Sequence, residues 1–594
     1  MKSFKSNIIK TLVLGAVVAM TCSCEDFLTI YPTDRVVLEN YWKTKTDVEN
    51  MVANSYRKMI QPDFTDRLVV WGELRGDNIV LGTDPGNDVK NIMEANLLPE
   101  NGYNNWAHFY SIINNCNIVL KFAPQVMDED PDFTQGDLDV TRGEMLVIRA
   151  LCHFYLVRTF RDIPLLKEAM VDDSQNLYQP QATPLEALDY ILEDLYEAEG
   201  LVMASGNYPS DADNKGRITK NAVRAMIADA LLWKAAFAQY AAKGDDQGVK
   251  QYYTECIAFC DSVLNDQMRY VLNYEEENKI MSEGKVDEVY PLEHQPIKNT
   301  GNATYLDLPY YKVFYIGNNR RESILELQHS SQYEGANYHI PLFYGYDYKV
   351  GKLSAPRFMA EVGSQNLYKA TDYRRVTNIY LGASGEVDMY PIVKGTYRYG
   401  NGTIDKPEYP SNNKLTVVTN SVKDDPYKDR KYIADRINTI LYRTSDVMLM
   451  KAEALALRND TVVPGNQDLR NSFNLVKAVY YRSNPYKVTN ADSIKYTANA
   501  ESMQALVLEE RHRELAFEGK RWYDLVRKAL RDGETNDMLD ILVDHKYETN
   551  QKAIRSKMAA MDCLFFPIYQ REIETNPLLK QNPAYEVEDM YEKK

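Results

Sequence analysis

The chain has 594 residues and a formal charge of −16, with 44 tyrosines and only seven cysteines. That acidity excludes a basic nucleic-acid-binding surface. Seven cysteines in so long a chain exclude a disulfide framework, and the length is enough to bury a large core.

The N-terminus reads as an export signal. "MKSFKSNIIK" carries three lysines and no acid, and "TLVLGAVVAM" is apolar over about half the length a membrane-spanning helix needs. The run ends in "TCSC", where Ser23 supplies the small residue before Cys24, the pattern of a lipoprotein signal whose thiol is acylated. Thr21 stands where such signals more often carry leucine. Cleavage after residue 23 removes Lys2, Lys5 and Lys10 and no acid, which takes the charge to −19. No later stretch is long and apolar enough to span a bilayer, so the lipid is expected to be the sole anchor.

Helical periodicity then dominates. Residues 43–60, 104–122 and 141–160 read as helices, the last closed by "RDIP" with Pro164. "TPLEALDYILEDLYEAEGLV" opens with Thr183 as a cap and Pro184 in its first turn. "TKNAVRAMIADALLWKAAFAQYAA" and "VKQYYTECIAFCDSVLN" follow, and the alanines of the first permit close helix contact. Helix, turn, helix at a spacing of about 35–45 residues predicts a mainly α, tetratricopeptide-like scaffold. Cys256 and Cys260 share a helix face with no further ligands nearby, so two buried thiols are expected rather than zinc.

Residues 270–440 change character. Gly, Pro, Asn and Tyr rise, and loops of this length in a folded domain tend to serve function. Helices resume at 445–460, 468–483 and 502–530. The expected organisation is a signal peptide (1–23), an N-terminal helical part (24–269), an aromatic loop-rich insert facing a ligand (270–440) and a C-terminal helical part (441–594).

"CEDFLTIYPTD", "RGEMLVIRALCHFYLVRTFRDIPLL", "SDVMLMKAEALAL", "LEERHRELAFEGKRWYDLVR" and "FFPIYQREIETNPLLKQNPAY" together resemble the SusD/RagB outer-membrane lipoproteins of Bacteroidetes, in family order and over nearly the whole mature chain. Ala584 stands where the family pattern has glycine. The resemblance implies a surface lipoprotein, tethered through Cys24, that captures glycan and hands it to a SusC-like TonB-dependent transporter. The RagB side of the family implies the alternative of peptide capture. Glu25 and Asp26, directly after Cys24, are consistent with the acidic export signal of surface lipoproteins in these bacteria.

Catalysis finds little support. Glu510, Glu514 and Glu518 could be imagined as paired carboxylates of a glycosidase, but Arg511, Arg513, Arg521 and Arg527 interleave with them as ion-pair partners would. Leu515, Phe517, Trp522 and Leu525 look like core, and His153 like a packed helical residue. The seven histidines are scattered, with no HExxH, GxSxG or phosphate-cradling loop. A binding protein without cofactor is expected, and a tethered hydrolase is the disfavoured third reading. The acidic loop "DEDPDFTQGDLD" (128–139) could hold structural calcium, although solvated acids are the simpler reading.

Sugar rings stack apolar C–H faces on aromatics while their hydroxyls need fixed polar partners. Tyr333, Tyr338, Phe343, Tyr344, Tyr346 and Tyr348 form the densest aromatic loop and are the expected platform. A second cluster lies in "WGELRGDNI", where Trp71 could stack and Arg75, Asp77 and Asn78 could bond hydroxyls.

Overall fold

The computed structural model describes residues 41–82, 84–172, 175–242, 246–277, 290–293, 309–315, 317–329, 337, 343–344, 352–360, 366–369, 372–374, 378–380, 390–391, 397–398, 431–432, 437–459, 467–484, 493–547 and 549–586. Cys24 and most of the insert lie outside these residues.

The scaffold opens with α1 (Lys45–Met59) and α2 (Pro62–Gly72), followed by α3 (Ala107–Phe122), α4 (Gln135–Phe160), α5 (Pro184–Leu201), α6 (Lys220–Ala242) and α7 (Asp246–Glu277). Three of these helices start on a capping box. Thr44 pairs with Asp47, Thr134 with Asp137 and Thr183 with Glu186, each hydroxyl accepting the N3 amide while the acid accepts the cap's own N–H. Pro184 occupies the first turn of α5, as its fixed φ favours. Two acids of the 128–139 loop are engaged with α1: Asp130 accepts the Lys45 N–H, and Asp137 pairs with Lys45 Nζ at 2.8 Å besides capping α4.

Each helix packs on its neighbours in turn, α3 on α4, α4 on α5, α5 on α6 and α6 on α7. Ala222, Ala225, Ala228, Ala235 and Ala236 of α6 are wholly buried, which lets its backbone approach the neighbouring helices closely. His153 is buried on α4 between Tyr110 and Tyr190, and desolvation pushes its pKa down to about 3. Cys116, Cys152, Cys256 and Cys260 are buried free thiols.

The array continues into the C-terminal part. Helix α8 (Thr444–Arg458) packs on α7, then come α9 (Gln467–Ser483), α10 (Ala500–Leu515), α11 (Arg521–Asp532) and α12 (Asn536–Lys546). Two short antiparallel pairs brace it. β1 (Val80–Leu81) pairs with β3 (Leu353–Ser354), and β2 (Ser323–Leu327) pairs with β4 (Thr439–Arg443) with Thr439 opposite Leu327.

The single helix read over 502–530 is in fact two. α10 stops at Leu515, and Phe517 and Gly519 take positive φ (66° and 72°) before α11 begins. The cause is tertiary. Gly519 crosses α2 at Gly72 so closely that a Cβ on Gly72 would sit 2.0 Å from the Gly519 carbonyl oxygen, and one on Gly519 would sit 2.7 Å from the Leu68 oxygen. Glu518 therefore does not continue the face shared by Glu510 and Glu514.

The carboxylates of this segment are core ion-pair partners. Arg374 meets Glu510 (2.7 Å), Glu514 (3.0 Å) and Asp372 (2.7 Å), while Arg443 of β4 meets Glu514 (2.6 Å) and both oxygens of Glu518 (2.8 Å). Arg482 bridges Glu322 and Glu514. A second knot joins α8, α10 and α11 through Arg511 to Asp446 and Asp524, and through Arg527 to Glu453. The Arg527 guanidinium and its neighbours hold the Glu453 carboxyl well below the usual range despite burial.

Candidate functional site

The loop after α2 carries the second predicted cluster, and the structure turns all four of its side chains inward. Trp71 is fully buried against Phe109 and Phe160, its indole N–H donating to the Tyr103 carbonyl at 2.9 Å. Arg75 lies over Trp522 (4.1 Å to the ring centre) and donates to the Leu564 and Cys563 carbonyls. Asp77 takes Arg521 (2.6 Å) and His545 (2.7 Å), and Asn78 donates to Glu73. These residues fasten the C-terminal part to α2; the expectation that they meet ligand is corrected. The physical reason is that all four side chains are buried and each makes at least one hydrogen bond within the protein, so none faces solvent.

Of the aromatic loop, Phe343 and Tyr344 are described, and both are buried. The Tyr344 ring packs edge-on against Phe517 at 5.8 Å, and burial pushes its hydroxyl pKa well above normal. Both are thus corrected from platform to support. Tyr333, Tyr338, Tyr346 and Tyr348 lie outside the described residues.

The two clusters nevertheless converge. Tyr103, whose carbonyl receives Trp71, is half-buried and sets its ring 6.4 Å from Phe343. Lys352 Nζ sits 5.1 Å over the Phe343 ring, and the Lys352 carbonyl accepts the Gly82 N–H at 2.9 Å, continuing the β1–β3 pair. Residues 80–82 and Tyr103 therefore meet Phe343 and residues 352–354 on one face, with Tyr103 as its half-exposed aromatic. Burial and nearby Asp66 raise the Tyr103 hydroxyl to about 12, so it stays protonated and able to donate. Sequence reasoning missed Tyr103. Its signal was a tyrosine in the turn "ENGYNN" between two helices, where Asn101 caps the turn by accepting the Tyr103 N–H.

Beneath this face lies a titratable knot. Glu73 is buried, accepts the Gly519 N–H at 2.8 Å and the Asn78 amide at 2.8 Å, and desolvation lifts its pKa to about 7. Lys546 is buried, donates to the Leu74 and Gly76 carbonyls, and is lowered by burial to about 7. His545 stacks on Phe358 at 4.1 Å. Among the described residues no three His, Cys, Asp or Glu side chains gather as metal ligands would, and no helix is long and apolar enough to cross a membrane.

Residues 237–585 match the family model described as the SusD family. The chain belongs to that family. Residues 39–232 match a second SusD-like model, described as starch-binding associating with outer membrane. A SusD-like protein of Formosa agariphila is 24% identical over 98% of this chain and 100% of its own length. One from Bacteroides ovatus is 22% identical over 87% of this chain and 82% of its own. Among solved structures, a SusD homologue of Bacteroides thetaiotaomicron aligns with a TM-score of 0.63 at 17% identity, covering 92% of this chain and 98% of that one. B. fragilis NanU aligns at 0.59 and 17%, covering 94% and 100%. These structures share the helical, tetratricopeptide-like fold.

Proposed function

We propose that this SusD-family protein is a lipoprotein, anchored in the outer membrane through Cys24 and facing the exterior, that binds an oligo- or polysaccharide and passes it to a SusC-like TonB-dependent transporter without chemistry. The observation that carries this reading is the convergence of residues 80–82 and Tyr103 with Phe343 and residues 352–354, far apart in sequence, on one face that offers the Tyr103 ring and the Lys352 ammonium. The starch-binding description of the model matched by residues 39–232 favours sugar over peptide.

Aromatic stacking on nucleic-acid bases is worth about 1–3 kcal/mol per ring. Two or three rings at comparable strength give affinities of about micromolar to millimolar, which suits capture followed by release. No cofactor enters the reading, so chelator should leave binding unchanged.

The test is affinity electrophoresis of residues 25–594 on plant, host and microbial polysaccharides, with peptides in parallel. Retardation by one glycan class, weakened by Tyr103→Ala and by Tyr346→Ala, supports glycan capture. Binding only to peptides replaces it with the RagB-like reading. Release of new reducing ends or amines would refute binding without turnover.

A further inference from the structure

A groove of about 1070 Å³ opens beside α1, and its lining shares no residue with the Tyr103 face. Its volume stands at the top of the usual small-molecule range of about 300–1,000 Å³. One wall is a stripe of α1 and its C-cap, in which Lys45, Glu49, Val52, Tyr56 and Ile60 recur every three or four residues. The rest of the lining comes from residues 133–141, from residues 201–217 and from the end of β2.

The lining mixes apolar ground with charge. Val52, Ile60, Val140, Leu201, Met203 and Leu327 supply the apolar part. Among them stand three cations and four acids, most of them engaged within the protein. Lys45 pairs with Asp137 at 2.8 Å and is also attracted by Glu49. Asp213 accepts the Ser210 hydroxyl at 2.6 Å, and Asp139 accepts the Gln135 amide at 2.7 Å. Arg217 forks onto Glu144, which is buried beneath the groove, at 2.9 and 2.7 Å. With Arg57 counted, the lining carries a net −1, and Glu144 brings the total to −2.

Two groups are fixed for contact with a ligand. Tyr56 is partly exposed, and its hydroxyl donates to Glu144 at 2.8 Å while accepting the Ile218 N–H at 3.0 Å, which holds the ring in place. Arg217 stacks on Tyr208 at 4.7 Å from the ring centre and gives two of its five N–H groups to Glu144. Its side chain is nevertheless 40% exposed, so further donors reach the groove.

These features select a ligand class. The net negative lining opposes an anion. A long apolar chain would cover the charged pairs without bonding them. A lysine-rich peptide needs open carboxylates, yet Asp137, Asp139 and Asp213 already accept hydrogen bonds, which leaves Glu49. A neutral sugar chain suits the whole lining: its C–H faces fit Tyr56 and the apolar ground, and its hydroxyls both donate to carboxylates and accept from a guanidinium. We propose that the groove is a second glycan site, taking a neutral oligosaccharide of several rings. This rests on the glycan capture proposed above and adds to it, because two weak sites joined by one polymer hold it longer than either alone.

Hydrogen-exchange mass spectrometry on the detergent-solubilised full chain tests this. The neutral probes are hexasaccharides of glucose, xylose, mannose and galactose, and the charged probes are hexagalacturonate and hexalysine. A neutral probe should protect residues 201–217. Ala53→Trp and Ala204→Trp each place a ring in the groove from an exposed lining position. Either should raise the concentration needed for protection about tenfold, the worth of one displaced stacked ring, and Tyr103→Ala should leave it unchanged. No protection of 201–217 by any neutral probe overturns the proposal. So does protection that both tryptophan variants leave intact, or protection by a charged probe instead. Protection confined to the peptide carrying Tyr103 removes the second site and leaves glycan capture standing, whereas protection of 201–217 alone keeps the groove and removes the Tyr103 face.

Discussion

Replacing Arg443 with methionine removes a guanidinium with no solvent exposure while nearly conserving its volume. The lost contacts are Glu518 through both oxygens at 2.8 Å, Glu514 at 2.6 Å and the Glu514 carbonyl at 2.7 Å. Because little cavity is created, the cost is that of core carboxylates, Glu518 above all, deprived of this cation. Breaking a buried ion pair from one side costs about 3–5 kcal/mol, and here Glu518, Glu514 and the more distant Glu322 (3.4 Å) lose the same cation, while Glu514 keeps Arg374 and Arg482 and Glu322 keeps Arg482. Urea unfolding followed by circular dichroism should place the loss in or above that range at pH 7.5, read from the midpoint shift at unchanged slope. Arg443→Lys keeps the charge but loses the fork and should lose less. Stranded carboxylates prefer to be protonated, so the methionine variant should regain stability relative to the parent as pH falls to about 5. A loss under about 1 kcal/mol, the worth of a surface pair, or no relative recovery in acid, would refute the reasoning.

Glu73→Gln should stabilise the protein at pH 8 by about 2–3 kcal/mol, with the gain vanishing below pH 4.5. The sign follows from a folded-state pKa lifted from 4.5 to about 7: stability held below pH 4.5 is lost as pH rises through 7. A pH-independent difference between the two would count against it. Gly519→Ala should destabilise by more than the about 1 kcal/mol of an ordinary Gly–Ala exchange, because its φ is 72° and the added carbon meets Leu68 backbone; a melting temperature within a degree of the parent would contradict the crossing. Thr183→Ala should cost about 1 kcal/mol through loss of the α5 cap, read by the same urea titration. Trp71→Ala should cost about 3–5 kcal/mol of stability, whereas Tyr103→Ala should weaken glycan retention at little cost to the fold. The reverse pattern would return Trp71 to the binding face.

The helices of the scaffold were legible because their information is local. Thr183, Pro184 and Glu186 announce the start of α5 within four residues, and the alanines of α6 sit at helical spacing. The break between α10 and α11 was hidden because "ELAFEGKRW" has acceptable helix propensity; only the crossing with Gly72, invisible from either stretch alone, forces it. The polar residues of "ELRGDN" looked like ligand contacts for a similar reason. Arg75 finds its partner 489 residues away at Leu564, and Asp77 finds Arg521 444 residues away, so no nearby residue advertised that they were satisfied. His153 and the cysteine pair were read correctly, since an apolar helical face suffices to predict burial. Tyr103 escaped because a half-buried tyrosine in a turn has no periodicity to mark it.

The contact between Glu73 and Gly519 spans 446 residues. A chain made N-terminus first would therefore carry Arg75 and Asp77 without these partners, and Glu73 with Asn78 alone of its described partners, until its last eighty or so residues arrived. Closure over such a distance is entropically slow and leaves apolar helix faces exposed meanwhile. Loss of even the final helices would leave charges facing an empty core instead of a trimmed but stable scaffold, so a chain cut short there is expected to fail as a whole rather than to persist as a shorter fold.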